Sequence, residues 1–144
     1  MKKRTGYWLV ITSRYYWRIL QKKFFWAFSE KAFKRLDNIQ ADDKSIVYLT
    51  ADGGRYISAI GGNFKFMGNP QRIAKSNSFF DNLFPNRVRI KIQKILDPPL
   101  PSKPFVGKVS FVGSGKNWGA NLQGQHIIPI PEKDYNIIMK EIVR

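Results

Sequence analysis

The sequence predicts a small α+β fold in which a curling sheet closes towards a barrel and short α-helices flank it. Three observations carry this. The elements run strand, two helices, a series of strands and a closing helix, without an internal repeat. Asp52-Gly53 signals a tight hairpin, because glycine supplies the positive φ such a turn needs, and Gly61-Gly62 soon afterwards signals a bulge or bend. At 144 residues and 43% hydrophobic, the chain suits one domain spanning its whole length, with a single core burying about two-thirds of the unfolded surface.

In order, Tyr7 to Thr12 is a continuous apolar, β-branched run, read as a strand buried on both faces. Residues 15 to 23 follow as a helix with Tyr16, Ile19 and Leu20 inward and Arg14, Arg18, Lys22 and Lys23 outward, and a second helix is expected at 31 to 38. Ser45 to Thr50 and Arg55 to Ile60 form the hairpin, with Asn63 to Met67 beyond the glycines. Residues 69 to 86 read as a loop-rich insertion carrying Phe79 and Phe80. Arg87 to Ile95 is the cleanest strand, with Val88, Ile90 and Ile92 on one face and Arg87, Arg89, Lys91 and Gln93 on the other. The stretch Asp97 to Pro104 reads as a proline-stiffened connection unable to be a central strand, and Phe105 to Val112 is ambiguous. A final helix enters at Pro131, with Tyr135, Ile138, Met139 and Ile142 at core spacing.

Composition narrows the function. Without cysteine the chain has no thiol nucleophile, Zn–thiolate site or disulfide, and one histidine with ten scattered carboxylates gives little from which to build a metal cluster or triad. No metal or other cofactor is expected, and His126, beside the apolar IIPI run, reads as a structural or surface residue. No apolar run approaches 18 residues and the basic start does not read as a signal sequence, so the expectation is a soluble, cytoplasmic protein with no membrane partner. The net charge is +15, with a pI near 10.2. It is segregated: residues 1 to 35 hold ten Lys/Arg against the single acid Glu30. Such a field points to a polyanion, RNA or DNA, although a merely solvated basic surface is the alternative.

Two clusters carry candidate chemistry. Trp26, between the two basic helices, is placed to stack on a flipped base, a contact worth roughly 1–3 kcal/mol, or else is a large core aromatic. Asn117-Trp118-Gly119-Ala120-Asn121 combines an indole with two carboxamides of the type that read base edges, or else anchors a buried loop. Gly113-Ser114-Gly115-Lys116 lacks the spacer and following Ser/Thr of a phosphate loop.

At these residues the sequence resembles the EVE family of the PUA-like superfamily, related to the YTH readers of N6-methyladenosine. The similarity lies in the opening YWLVITS, the tryptophan-containing turn Trp26 to Glu30, the segment Phe84 to Val88, the approach from Lys116 to Asn-Trp-Gly, and the ending Ile130 to Tyr135. The resemblance implies a PUA-like small mixed β-barrel that binds a modified, methylated base in an aromatic pocket. It maps that pocket to Trp26 and to Ser13 with Thr12 beside it. The second wall would come from Phe79 and Phe80 or from Trp118, with Asn117 and Asn121 near the base. This chain offers phenylalanines where YTH proteins carry their second tryptophan.

The resulting expectation is a non-catalytic, monomeric reader. Its phosphate contacts would be Arg14, Arg18, Lys22, Lys23 and Lys31 from the helices, Arg87, Arg89 and Lys91 from the basic strand, and Lys116. The alternatives are an unselective RNA-binding or ribosome-associated protein and a nucleic-acid-modifying enzyme using Ser13, Asp81 or His126.

Overall fold

The computed structural model describes residues 5–28, 38–69, 71–72, 86–102, 105, 108–109 and 127–142. Seven strands and two helices fall within them: β1 (Tyr7–Ser13), α1 (Arg14–Lys23), β2 (Phe25–Phe28), β3 (Lys44–Asp52), β4 (Arg55–Phe66), β5 (Gln71–Arg72), β6 (Asn86–Pro101), β7 (Ile127–Pro129) and α2 (Glu132–Ile142). The strands make one sheet ordered β2-β6-β4-β3-β1-β7, with β5 paired to β6 off that path. β1 and β3 run parallel and all other pairs antiparallel, so the sheet is mixed and the fold is α+β.

Strand alternation divides the interior into two cores. Trp8, Val10, Val47, Leu49, Phe64, Phe66, Val88 and Ile90 point to one side, where Trp17 and Leu20 of α1 close over them. Leu9, Ile46, Tyr48 and Ile60 point to the other, where Tyr135, Ile138 and Ile142 of α2 cover them. Strand β1 is buried on both faces, as its unbroken apolar run requires. Asp43 locks the start of β3. Its carboxylate accepts hydrogen bonds from the Gly6 amide (2.8 Å), the Trp8 indole (3.0 Å) and the Gln40 amide (3.0 Å).

The turn glycines act as expected. Gly53 and Gly54 have φ of +57° and +85° and link β3 to β4 as a two-residue hairpin loop. Gly61-Gly62 is a bulge within one long strand rather than a break between two. A Cβ on Gly62 would lie 2.3 Å from the Lys94 carbonyl oxygen, and the Trp17 indole donates to the Gly61 carbonyl at 3.2 Å. The sheet curls where the backbone of β4 is pressed between β6 and α1.

Several expectations need correction. Residues 97–101 continue β6, with Leu100 and Pro101 paired to Ile60 and Ala59. The proline rule still operates: β2 pairs only residues 86–89, so Pro98, Pro99 and Pro101 lie where β6 has β4 as its one described neighbour. Residues 25–28 form a strand, not a turn, because their partner lies some sixty residues along the chain. Helix α1 turns Trp17 and Leu20 inward and leaves Tyr16 and Ile19 half-buried. Strand β7 pairs with β1 through the IIP segment. Of the helix expected at 31 to 38, only Asn38 lies within the described residues, in a turn.

Candidate nucleic-acid interface

Helix α1 starts where β1 ends. Ser13 is its N-cap, the hydroxyl accepting from the Tyr16 amide at 3.2 Å, so this oxygen already serves the backbone. Thr12 lies half-buried at the end of β1. Arg18, Lys22 and Lys23 are exposed on the helix, and the last two also complement its negative C-terminal dipole. Arg14 differs: its guanidinium is paired with Asp52 at 3.1 Å and Asp97 at 3.4 Å, on the rim of a cleft lined by Trp17, Arg18, Leu49 and Pro99. Two carboxylates compete with any phosphate for that charge.

The helix ends at Phe24, whose φ of +58° and ψ of +27° place it in the left-handed region normally filled by glycine. For an L-residue this conformation costs roughly 1–2 kcal/mol. The ring is nevertheless 65% exposed. From here β2 pairs antiparallel with β6, Phe25 opposite Arg89 and Ala27 opposite Arg87, so these four side chains share one face of the sheet. The Arg87 guanidinium lies 4.4 Å from the centroid of the Phe25 ring and Lys23 Nζ lies 5.9 Å from it, both within cation–π range. Arg89 and Lys91 are exposed along the same face. On the far side of β6 the Met67 amide donates to the Arg89 carbonyl at 2.8 Å, and the Met67 side chain is 46% exposed.

Trp26 faces the opposite way. Its side chain is 2% exposed, stacked on Phe64 with centroids 5.0 Å apart and tilted against Trp17 at 5.7 Å. In the free protein the indole is a core group. Phe79, Phe80, Asn117, Trp118, Asn121, Lys31 and Lys116 lie outside the described residues, as do Asp81 and His126.

Lys23 of α1 and Arg87 of β6 meet over the Phe25 ring, Arg18 lines the cleft beside Asp97 and Pro99, and Arg89 and Lys91 are exposed further along β6, while Trp26 sits in the core. Sequence reasoning missed Phe24, Phe25 and Met67. The interleaving of lysines with aromatics in Lys22-Lys23-Phe24-Phe25-Trp26 was the available signal. Among the described residues no group of His, Asp or Glu is clustered for a metal, and no helix is long and apolar enough to cross a membrane.

The structure superposes on a YTH domain of Mmi1 solved in complex with RNA, with a TM-score of 0.68 and 16% identity over 97% of this chain and 79% of that one. The fold is the one seen in YTH domains. It also matches human THYN1 solved with 5-methylcytosine-containing DNA, with a TM-score of 0.61 and 11% identity over 97% and 99% of the two chains. A third match is the YTH domain of Zygosaccharomyces rouxii MRB1 solved with N6-methyladenosine RNA, with a TM-score of 0.65 and 9% identity over 98% and 88%. In sequence, the chain is 28% identical over 138 residues to a UPF0310 protein of Pyrococcus abyssi, covering 92% of this chain and 96% of the relative. It is 27% identical over 142 residues to a UPF0310 protein of Pyrococcus horikoshii, covering 93% and 97%. No family model matches.

Proposed function

We propose that this protein is a non-catalytic nucleic-acid-binding module that recognises a modified, methylated base on RNA or DNA. The observation that carries the reading is the set of exposed cations Arg18, Lys22 and Lys23 on α1 and Arg89 and Lys91 on β6, with Lys23 and Arg87 joined over the Phe25 ring. Exposed cations on a helix and a strand suit a nucleic-acid backbone. The class of base comes from the solved neighbours with this fold, which were crystallised with N6-methyladenosine RNA and with 5-methylcytosine DNA. Ser13 Oγ serves as a helix cap, accepting from the Tyr16 amide, a structural role that needs no catalytic one.

In this reading Thr12, Ser13 and Trp26 belong to an aromatic pocket whose second wall is supplied by Phe79 and Phe80 or by Trp118, with Asn117 and Asn121 as contacts to the base. Lys31 and Lys116 add phosphate contacts to those of α1 and β6. The indole of Trp26, 2% exposed in the free protein, must then be uncovered as the base enters. That burial also favours a second reading, unselective binding of RNA by the basic face with Trp26 purely structural.

Binding of wild type to matched oligonucleotides, unmodified or carrying N6-methyladenine or 5-methylcytosine, separates the two. Selective binding that is lost in Trp26→Phe, a variant that keeps the core filled, supports the pocket. Equal binding to all oligonucleotides refutes it and leaves the unselective reading.

A further inference from the structure

From the conformation and surroundings of Phe24, we infer that its ring is a stacking platform for an unpaired base of a single-stranded nucleic acid, separate from the modified-base pocket. The inference rests on the reading of the chain as a nucleic-acid binder but not on its selectivity.

Burial accounts for little of this residue. Phe24 holds a left-handed backbone (φ +58°), where glycine or asparagine would sit without strain, and yet leaves 65% of its surface in water. A position that disfavours a bulky side chain on backbone grounds and gains little burial from it points to a use outside the fold.

Its neighbours specify the partner. Lys22 and Lys23 immediately precede it on the exposed last turn of α1. The Phe24 carbonyl accepts from the Ile90 amide at 3.1 Å, which holds its backbone against β6 at a residue next in sequence to exposed Arg89 and Lys91. Met67, 46% exposed, adjoins Arg89 on the other side, two strand spacings or about 10 Å across the sheet from the Phe24 chain. An exposed ring that directly follows two exposed lysines is a surface on which a base stacks while its phosphates are neutralised, and a sequence-tolerant one, since every base offers a π-face. A protein partner would be expected to meet a broader apolar patch; among the described residues the exposed large hydrophobics are the scattered Tyr15, Phe24, Met67 and Ile95.

The test uses the full chain with unmodified ten-nucleotide single-stranded RNA and DNA, read by fluorescence anisotropy across a salt series, with thermal unfolding in parallel. Phe24→Gly is expected to lower affinity about tenfold or more, to leave the slope of log K against log salt unchanged, and to leave the unfolding midpoint unchanged or raised. Phe24→Trp is expected to bind at least as tightly as wild type. Phe24→Asn, which also tolerates the backbone, repeats the loss if the glycine variant folds poorly. Preference for RNA or for DNA identifies the source of the base. Wild-type affinity in Phe24→Gly or Phe24→Asn overturns the inference, as does a loss confined to anionic lipid vesicles. Because the probes carry no modified base, these outcomes are independent of whether the protein prefers methylated targets.

Discussion

Replacing Trp26 by alanine removes an indole that is 2% exposed and packed against Phe64 and Trp17. A large aromatic side chain buries about 200 Å², and at about 25 cal/mol per Å² that corresponds to an upper figure near 5 kcal/mol. Alanine recovers part of the area but leaves a cavity, so the expected loss is about 3–5 kcal/mol. This is a large share of the roughly 5–15 kcal/mol that holds a domain of this kind together. At about 2–4 °C per kcal/mol the midpoint should fall by about 6–20 °C. Trp26→Phe keeps a ring against Phe64 and should lose only about 1–2 kcal/mol. Urea unfolding of the three proteins, compared through midpoints at constant m, measures the differences. A Trp26→Ala loss below about 1 kcal/mol would refute the placement of the indole in the core. The practical consequence is that lost binding in the alanine variant is ambiguous, whereas lost selectivity in a folded Trp26→Phe is not.

Other parts of the structure give sharper handles. Asp43→Asn places an amide NH2 among three N–H donors, Gly6, Trp8 and Gln40, and should cost about 1–3 kcal/mol in denaturant unfolding. Gly62→Ala drives a methyl to 2.3 Å from the Lys94 carbonyl and should destabilise by about 1–3 kcal/mol, read in the same assay. Burial holds the Tyr135 phenol above its ordinary pKa of 10, reinforced by Tyr7 and opposed by a hydrogen bond with Asn63. Its folded pKa exceeds its unfolded one, so its contribution is complete below pH 10 and is lost as pH rises through the folded value. Tyr135→Phe should therefore show a shallower alkaline loss of stability than wild type. If Arg89 contacts a phosphate, Arg89→Ala should reduce the salt slope for single-stranded oligonucleotides by about 0.7, measured by anisotropy.

Much of this fold was readable because its signals are local. The apolar run of β1, the in-out alternation of Val88, Ile90 and Ile92 against Arg89 and Lys91, the Gly53-Gly54 turn and the spacing of Tyr135, Ile138 and Ile142 each specify an element without reference to the rest of the chain. What escaped depended on distant partners. Residues 25–28 become a strand only because β6 lies beside them, and residues 97–101 stay extended because β4 pairs with Leu100 and Pro101. The cations of the interface were legible from charge segregation, but their availability was not: Arg14 looks like Arg18 in sequence and differs only through Asp52 and Asp97, which are remote in the chain. Trp26 was ambiguous between core and pocket for the same reason, since Phe64 stacks on it from another strand. Phe24 was missed because its left-handed backbone cannot be inferred from a lysine-aromatic run.

The central claim is selective recognition of a modified base, and the most direct measurement is competition at about 150 mM salt between matched oligonucleotides with and without N6-methyladenine or 5-methylcytosine for the wild-type protein. A preference of at least about tenfold for one modified strand is expected, a difference of about 1.4 kcal/mol. Equal displacement by modified and unmodified strands would contradict it.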